Sequence, residues 1–453
     1  MTMPKPSGNV LEVGNNRIEV SRSYMTKLLG IASVGTFVDW WDFFLATISA
    51  AIVWPAVFFS GLSAGLALFA SLSSFASSYV VRPLGAYIFG HFGDRYGRRS
   101  VLVWTLVLMG VGSFAIAILP GNAKIGLAAP VILFVVRIIQ GIGIGGEFGG
   151  AVSWVAETAS KSKWRTFLTS VIVSTGILGI AVGLFSYTIL FDIMGKAATL
   201  SYGWRYLFGV GALIMVISGV LRFRFTESPL FKQLASKQEI VRFPASAVLK
   251  KEWKKIFTLA LSQQYNFVTG LLVTTYASPF LIAIGISSAG ATFYVGLGVF
   301  IAFISGPIGG LVGSKIGMKK TMTIGPIISA VSSFPLFLLM STKIPALIIL
   351  GVGFAMWNWF SFSIVGNYFS SQFNTKFRYS GSGLTYQFVA FFSSIILLVI
   401  IAPIIAIYPT IPKAWPAEAV VGTVFGIFSL ILVLLVVKKK EVSDLAELDK
   451  PAE

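Results

Sequence analysis

GHFGDRYGRR, residues 90–99, is a glycine-rich basic segment that separates two long apolar stretches. A second copy of the pattern, GLVGSKIGMKK, occupies residues 310–320 between two other apolar stretches. At a constant interval, the aligned pairs are Gly90 and Gly310, Gly93 and Gly313, Asp94 and Ser314, Gly97 and Gly317, and Arg99 and Lys319. A tight turn followed by cations at the same place in each half predicts that the chain is built from two related units.

The composition around these two loops is that of a membrane protein. The 453 residues are 56% hydrophobic and only 11% charged, and their mean hydropathy is +0.84. A soluble protein of this length needs more charge to cover its surface, so lipid is the expected solvent. Cysteine is absent, which excludes disulfides, thiolate metal ligands and cysteine nucleophiles.

Apolar stretches of about 20 residues or more, the length that crosses a bilayer, recur twelve times. Their predicted bounds are 27–58, 64–91, 99–119, 127–157, 166–191, 203–224, 254–284, 289–314, 320–340, 344–370, 379–408 and 415–437. The longest polar interruption, from Arg222 to Lys255, falls between the sixth and the seventh. The sequence therefore predicts an all-α integral membrane protein with twelve transmembrane helices in two six-helix bundles.

The predicted domains follow from the same interruption. Residues 1–224 form an N-terminal six-helix bundle, residues 225–253 a basic linker, and residues 254–453 a C-terminal six-helix bundle with a short charged tail. Most lysines and arginines fall in the linker and in the loops that lie on the same side as both termini. The opposite side carries only Lys124, Lys196, Arg205, Lys343 and Lys413. This asymmetry predicts that both termini and the linker are cytoplasmic, so the net charge of +18 reflects topology and not nucleic-acid binding.

Ionisable side chains inside the predicted spans are few, and each is a candidate functional residue because a charge in the bilayer is costly. The set is Asp39, Asp42, Arg82, Arg137 and Glu147, all in the first half. We therefore expect protonation chemistry in the first bundle and mostly neutral solute contacts in the second.

Asp42 and Arg137 are expected at similar depth, since a helix rises about 1.5 Å per residue. A nearby guanidinium favours an ionised carboxylate, whereas burial favours the protonated form. Moving the two apart would let the acid take up a proton, so we predict that Asp42 and Arg137 couple proton binding to conformation. Asp39, one turn nearer the cytoplasm, would pass on or share that proton. The alternative for either acid is a carboxylate held by a nearby tyrosine or backbone group.

Arg82 and Glu147 form a second predicted pair, near the cytoplasmic mouth. They would act as an inner gate, and the alternative is a static brace between neighbouring helices, because a buried pair is by itself weak evidence of function.

Polar and aromatic residues in the seventh and tenth predicted spans are the candidates for solute binding. They are Gln263, Gln264, Tyr265, Asn266, Tyr276, Trp357 and Asn358. Amides inside a membrane need hydrogen-bond partners, so core packing between helices is the alternative for each. No metal is expected, since His91 is the only histidine.

The chain resembles the major facilitator superfamily, and within it the metabolite:proton symporter family, a relative of the sugar porters. The resemblance lies in VDWWDFF (38–44), RPLGAYIFGHFGDRYGRR (82–99), RIIQGIGIGGEFGGA (137–151), FTESPLF (225–231) and RYSGSGL (378–384). SQQYN (262–266) and GWRYLFG (203–209) are more similar to sugar porters. Two positions depart from the family: Ser314 replaces an acid in the second loop, and Asn367 replaces a glutamate at the end of the tenth span.

The resemblance implies the major facilitator fold and a cytoplasmic latch that closes the inner side. We expect ion pairs there between Asp94, Glu157, Arg165 and Glu227 and the loop cations Arg95, Arg98 and Arg99. Sugar porters also place an Asp and an Arg at the positions that match Asp42 and Arg137.

The predicted function is secondary active transport: proton symport of a small organic metabolite by alternating access in the plasma membrane. The resemblance favours a carboxylate or zwitterion, with Arg137 as an anion partner, and a sugar is the alternative. Uniport, antiport and a non-transporting receptor are further alternatives. An enzyme is disfavoured, because no serine–histidine pair or His/Asp metal cluster is present. We expect a monomer with no cofactor other than the coupling proton.

Overall fold

The computed structural model describes residues 9–13, 16–20, 22–159, 162, 164–223, 242–408 and 410–437. A short antiparallel pair, β1 (Asn9–Val13) and β2 (Asn16–Val20), precedes the helices. The helices of the first half are α1 (Arg22–Ile52), α2 (Trp54–Phe58), α3 (Ala64–Val80), α4 (Arg82–Tyr96), α5 (Arg98–Ile118), α6 (Asn122–Ile125), α7 (Ala128–Thr158), α8 (Arg165–Ala198) and α9 (Trp204–Phe223).

The second half follows the same plan. Its helices are α10 (Pro244–Leu261), α11 (Gln264–Leu271), α12 (Ser278–Ala283), α13 (Ser288–Ile316), α14 (Met318–Ser341), α15 (Pro345–Met356), α16 (Trp359–Phe362), α17 (Val365–Ser370), α18 (Arg378–Ile396), α19 (Ala402–Ile407) and α20 (Trp415–Val436). π-helical turns at Thr199–Gly203, Leu272–Ala277 and Leu397–Ile401 join α8 to α9, α11 to α12 and α18 to α19.

The described residues contain eleven helical stretches that are long and apolar enough to cross a membrane. One of them, Arg165–Leu221, has 57 residues, about 85 Å at 1.5 Å per residue and far longer than a hydrocarbon core of about 30 Å. The chain reverses within it at Gly195, whose φ is +74°. This stretch is therefore two crossings, and the predicted all-α fold of twelve spans is confirmed.

In order, the twelve crossings are α1, α3–α4, α5, α7, α8, α9, α11–α12, α13, α14, α15–α17, α18–α19 and α20. The predicted linker boundary at 253/254 falls inside α10, next to the non-helical residue Glu252. α10 packs against α4 and α18. Residues 224–241, the greater part of the predicted linker, lie outside the described residues.

The two glycine-rich loops share one backbone conformation. Gly97 ends α4 with φ +109° and ψ 155°, and Gly317 ends α13 with φ +92° and ψ 153°. Each glycine donates its amide to the carbonyl of the residue four earlier, Gly93 or Gly313. A positive φ at both positions requires glycine, because a side chain would be strained there. The repeat read from the sequence is thus a repeat of local structure.

The two halves pack along several helices. α8 lies against α13, while α4 and α7 lie against α18. Where Gly149 meets Gly383 the backbones approach so closely that a Cβ on Gly149 would lie 2.8 Å from the Cα of Gly383. α3 also touches α19 at the opposite end of the bundle. We call the end at which α4 ends and α18 begins the latch end, which the loop charges predict to be cytoplasmic.

Two helices of the second half are interrupted at mid-depth. The seventh crossing contains the π-helical turn Leu272–Ala277, and the tenth leaves α-helical geometry at residues 357–358 and 363–364. Such interruptions free backbone groups and widen the helix locally, and in transporters they are typical of solute sites.

Candidate functional site

A central cavity lies between the two halves, at the level of the interrupted helices. Its polar and aromatic wall includes Thr36, Asp39, Trp40, Phe43, Tyr79, Arg82 and Glu147 from the first half and Asn266, Thr274, Trp359, Tyr386 and Gln387 from the second. A pocket built by both halves can bind a solute differently when the halves tilt, which is the geometric requirement for alternating access.

Asp42 is buried beside this cavity, with 1% of its surface exposed. Its Oδ1 accepts a hydrogen bond from Ser113 Oγ at 2.7 Å, and its Oδ2 accepts one from Gln140 Nε2 at 3.4 Å. Gln140 Nε2 also donates to Ser113 Oγ at 2.8 Å. Two neutral donors, one on each carboxyl oxygen, therefore hold the side chain of Asp42.

Arg137 lies in the same network but reaches Asp42 through Gln140. Its Nη1 donates to Gln140 Oε1 at 2.8 Å, and its Nη2 donates to Ser78 Oγ at 2.9 Å. Its guanidinium also lies 5.4 Å from the centre of the Phe43 ring. The structure thus brings the predicted pair together, with the amide of Gln140 as a bridge.

Sequence reasoning missed Gln140. Its signal was available: Gln140 lies three residues after Arg137, so the two share one helical face. A polar amide inside a membrane span is itself a candidate for interhelical hydrogen bonding.

Arg82 and Glu147 both line the cavity. Arg82 rests on aromatic rings, and Glu147 accepts a hydrogen bond from a threonine. The guanidinium carbon of Arg82 lies 4.1 Å from the ring centres of both Phe43 and Tyr79. Glu147 Oε2 accepts a hydrogen bond from Thr105 at 3.1 Å. The gate role of this pair stays a prediction. Asp39 is 3% exposed and lines the same cavity.

Aromatic rings from opposite halves meet around the cavity. Trp40 contacts Trp359 edge to face with ring centres 5.3 Å apart. Phe148 stacks on Tyr386 with centres 3.5 Å apart and planes 7° from parallel. These contacts must change when the halves separate, so they report on conformation as well as on solute binding.

Of the seven predicted solute-binding residues, Asn266 is the one found in the cavity wall. Its Nδ2 donates to Asn358 Oδ1 at 2.9 Å, which ties the seventh crossing to the tenth. Trp359, next to the predicted Trp357 and Asn358, also lines the cavity. Adjacent residues of a helix point about 100° apart. This is why Asn266 and Trp359 line the cavity while the residue immediately before each of them does not.

The other predicted solute-binding residues have contacts elsewhere, so the structure does not place them on the cavity. Gln264 donates to the Val389 carbonyl at 3.2 Å and accepts from Ser393 Oγ at 2.9 Å, which fixes it against α18. The ring of Tyr265 packs on Gly325 of α14.

Three more of these residues lie away from the cavity wall. Tyr276 donates its hydroxyl to the Ile411 carbonyl, and Gln263 Nε2 donates to the neighbouring Ser262 Oγ at 2.8 Å. Trp357 is half-buried and does not belong to the cavity wall. For this group the alternative of helix packing fits the structure better.

The expectation that all intramembrane ionisable residues lie in the first half is wrong. Glu418 lies in α20, within the candidate span Trp415–Val436, and its side chain is fully buried. Neither carboxyl oxygen has a hydrogen-bond partner within the described parts of the chain. Its sequence signal was plain, since it stands inside the predicted span 415–437.

At the latch end, first-half acids contact the start of α18. Asp94 accepts hydrogen bonds from the backbone amides of Tyr379 at 3.3 Å and Ser380 at 2.9 Å, which caps the helix N-terminus. Glu157 Oε1 lies 3.3 Å from Arg378 Nη1, and both side chains are fully buried. These two acids therefore contact the second half, and their predicted ion pairs with the loop cations stay a prediction.

A hydrogen bond between a guanidinium and a neutral amide also crosses the halves beside this ion pair. Arg165 Nε donates to Asn367 Oδ1 at 2.9 Å, and Asn367 Nδ2 donates to Thr166 Oγ1 at 2.8 Å. Asn367 is the residue that departs from the resembled family. Asn367 keeps a hydrogen bond between the halves, but it lacks the negative charge that a glutamate would bring to this contact.

Arg95 and Arg99 each contact a group of the first half. The guanidinium of Arg95 lies 5.0 Å from the centre of the Tyr96 ring, and Arg99 Nη2 donates to the Phe223 carbonyl. Glu227 and the side chain of Arg98 lie outside the part of the chain that the structure describes. Arg378, which sequence reasoning missed as a latch residue, was signalled by the RYSGSGL segment.

The described residues contain no group of three or more His, Cys, Asp or Glu placed to hold a metal ion.

Comparison with known proteins gives one consistent result. The sequence profile of the Major Facilitator Superfamily matches residues 32–398. An inner membrane metabolite transport protein of Escherichia coli K12, YhjE, is 30% identical over 375 residues, which cover 80% of this chain and 83% of that protein. The proline/betaine transporter of the same strain is 28% identical over 369 residues, 79% of this chain and 73% of that protein.

The fold is similar to that of a solved transporter. The structure of the proton:xylose symporter XylE superposes with a TM-score of 0.70 at 18% identity, covering 95% of this chain and 100% of that one. At this identity the likeness concerns the fold.

Proposed function

Because the chain belongs to the Major Facilitator Superfamily, we propose that it symports protons with a small organic carboxylate or zwitterion by alternating access. The protein is a multi-pass transporter of small solutes in the plasma membrane and not an enzyme. The proton coupling and the class of solute are the proposal. A relative that is named a proline/betaine transporter supports a zwitterion.

The observation that carries the proposal is the buried network of Asp42, Gln140 and Arg137. A carboxylate and a guanidinium that share one amide bridge are both removed from water. When Asp42 is ionised, the guanidinium charge is compensated across the bridge. When Asp42 takes up a proton, that compensation is lost and the buried Arg137 favours a rearranged bundle. Proton binding and conformation are coupled in this way.

Phe43 connects this network to the cavity. It follows Asp42 in α1, and its ring faces the guanidinium of Arg137 at 5.4 Å and that of Arg82 at 4.1 Å. A shift of α1 on protonation moves the ring between the two cations, one in the proton network and one in the cavity wall. The proton site can therefore change the solute site without direct contact.

The direction of the cycle rests on the loop charges. The excess of Lys and Arg on the side of the linker supports a cytoplasmic latch end and cytoplasmic termini. Closure of this end around Asp94 and Glu157 corresponds to a carrier that is closed towards the cytoplasm. We infer that one chain is sufficient for the cycle, since both halves of the cavity come from the same chain.

Uptake into proteoliposomes with an imposed pH gradient tests the proposal. An inward proton gradient should accelerate uptake by the unmodified protein, and Asp42→Asn should abolish that acceleration while exchange of solute for solute continues. Asp192→Asn is the matched control, because Asp192 is exposed at the far end of α8. Gradient-driven uptake that survives in Asp42→Asn would contradict the proposal.

A proton-coupled sugar symporter is the second candidate. The amides of Asn266 and Gln387 in the cavity wall favour it, since amides donate to and accept from sugar hydroxyls. Radiolabelled xylose and proline, compared in the same proteoliposomes, distinguish the two. Uniport, antiport and a receptor role predict no gradient-driven accumulation of either solute.

A further inference from the structure

Among the residues that the structure describes, three hydrogen-bond donors of the cavity wall find no acceptor. They are Arg82 Nε, the Tyr386 hydroxyl and the Trp359 indole Nε1. Each side chain is buried, with 4%, 2% and 2% of its surface exposed, respectively. A buried donor without an acceptor is costly, so donors that share one cavity indicate a ligand that brings acceptor atoms.

Arg82 supplies the charge. Its guanidinium rests on the rings of Phe43 and Tyr79, and such rings fix the plane of the guanidinium without using its N–H groups. A guanidinium binds a carboxylate through parallel, charge-assisted hydrogen bonds, and the unbonded Nε–H of Arg82 can donate one of them. Arg137 cannot take this part, because its Nη atoms are bound to Gln140 and Ser78 and it does not line the cavity.

The donors come from opposite halves. Arg82 belongs to α4, in the first half, and Tyr386 and Trp359 belong to α18 and α16, in the second. An anion bound between them would link the halves, so it would be gripped when the cavity is closed and released when the halves part. This is the differential affinity between states that a solute needs in order to drive a conformational change.

From these observations, we infer that Arg82 and Tyr386 bind the carboxylate of the transported solute, and that Arg82 is the residue selecting carboxylates over neutral solutes. The inference rests on the proposed transport of a carboxylate or zwitterion and names its binding residues. Asp39 and Glu147 in the same wall add negative charge, which disfavours a second carboxylate on the solute and suits a cationic or neutral remainder.

Ligand binding to the purified protein tests the assignment. The probes are proline, glycine betaine, succinate and xylose, and the signal is tryptophan fluorescence, since Trp40 and Trp359 line the cavity. We expect proline or glycine betaine to bind and succinate to bind less well. Arg82→Gln should lower the affinity for the carboxylate by about tenfold or more, the loss typical of a charge-assisted hydrogen bond. Tyr386→Phe should lower this affinity by a smaller factor.

The methyl ester of the carboxylate that binds sharpens the test. Esterification removes the anionic charge, so the unmodified protein should prefer the acid and Arg82→Gln should lose that preference. A residue with only a structural or gating role would lower the transport rate and leave this preference unchanged. If Arg82→Gln does not fold, the affinities for the acid and its ester are compared in Tyr386→Phe and Arg82→Lys instead.

Two matched controls lie outside the cavity. Arg205→Gln removes a half-buried guanidinium that donates to the Ala117 and Leu119 carbonyls. Tyr187→Phe removes a buried hydroxyl that pairs with Ser49. Both should bind the probes as the unmodified protein does.

The outcomes separate this assignment from the proposed function. Unchanged carboxylate affinity and unchanged preference over the ester in Arg82→Gln would overturn the assignment, while gradient-driven uptake of a carboxylate would stand. Binding of xylose without any carboxylate in the unmodified protein would overturn both.

Discussion

Replacing Glu157 by glutamine should open the latch end of the transporter. The Glu157 carboxylate lies 3.3 Å from Arg378 Nη1, and both side chains are fully buried between the halves. Arg378 also donates to the carbonyls of Ser370 and Phe373 within the second half. Glu157→Gln therefore leaves Arg378 in place but removes the charge that the first half contributes.

The magnitude follows from the burial. Removing one partner of a buried ion pair costs about 3–5 kcal/mol, because the other charge stays buried without compensation. When the halves separate, both side chains are hydrated, so the cost falls on the closed latch alone. A cost of about 3 kcal/mol shifts the equilibrium between closed and open latch by about 150-fold towards open.

The assay uses the natural absence of cysteine. Ser382→Cys places a single thiol at a position that is 1% exposed in the closed latch. In detergent solution, the rate of maleimide labelling then measures how often the latch opens. Glu157→Gln should raise this rate by about two orders of magnitude if the unmodified latch is rarely open.

Two further variants complete the design. Glu252→Gln makes the same substitution in a partly exposed ion pair, in which Glu252 lies 2.9 Å from Lys255, and it should leave the labelling rate unchanged. Glu157→Gln combined with Arg378→Gln should recover part of the closed state, because neither charge of this ion pair is then left buried without its partner. Equal labelling of the Glu157→Gln variant and the parent would refute the reasoning.

Three other substitutions test separate parts of the structure. Gln140→Leu removes the bridge between the acid and the guanidinium, so gradient-driven uptake should fall by about tenfold or more, whereas unchanged uptake would show that the bridge is dispensable. The hydroxyl oxygens of Ser153 and Ser382 are 3.1 Å apart, so Ser153→Cys combined with Ser382→Cys should form a disulfide that stops uptake until it is reduced. Two cysteines that stay reduced under oxidising conditions would contradict this contact between the halves. Gly309→Ala should lower the melting temperature, because its Cβ would lie 1.7 Å from a carbonyl oxygen of the tenth crossing. Gly209→Ala should not lower the melting temperature, because a Cβ there would meet nothing within 4 Å. An equal fall in melting temperature in both variants would argue against the close contact of Gly309 with the tenth crossing.

Much of the fold was predictable because the bilayer restricts what a chain can do. Backbone groups in lipid must be bonded within the segment, so long apolar stretches become helices. The boundaries were less accurate. The predicted first span, 27–58, contains the end of α1 at Ile52 and the separate short helix α2. The hydropathy signal does not register a helix that ends inside an apolar run.

The proton network was partly predictable. Depth along the helices suggested that Asp42 and Arg137 lie at one level, and the structure places them in one hydrogen-bond network. Depth does not determine rotation about the helix axis, however. It therefore could not show that Gln140 lies between them, or that Arg82 and not Arg137 faces the cavity.

The second half was harder to read because its candidate residues are neutral. An amide can bind a solute or a neighbouring helix with the same chemistry. Asn266 faces the cavity, while the nearby Gln264 is bound to Val389 and Ser393 of α18. Two positions along one helix were enough to change the role, and no feature of SQQYN distinguishes them.

The sequence by itself determined the duplicated, twelve-span architecture and the short set of buried charges in the first half. It did so because the cost of placing polar groups in lipid is set by residue type and spacing alone. Only the tertiary structure decided the partners: the backbone of α18 for Asp94, Arg378 for Glu157, and a cavity with unbonded donors for Arg82. These contacts join residues far apart in the chain, and their geometry depends on how the two bundles are rotated and packed against each other.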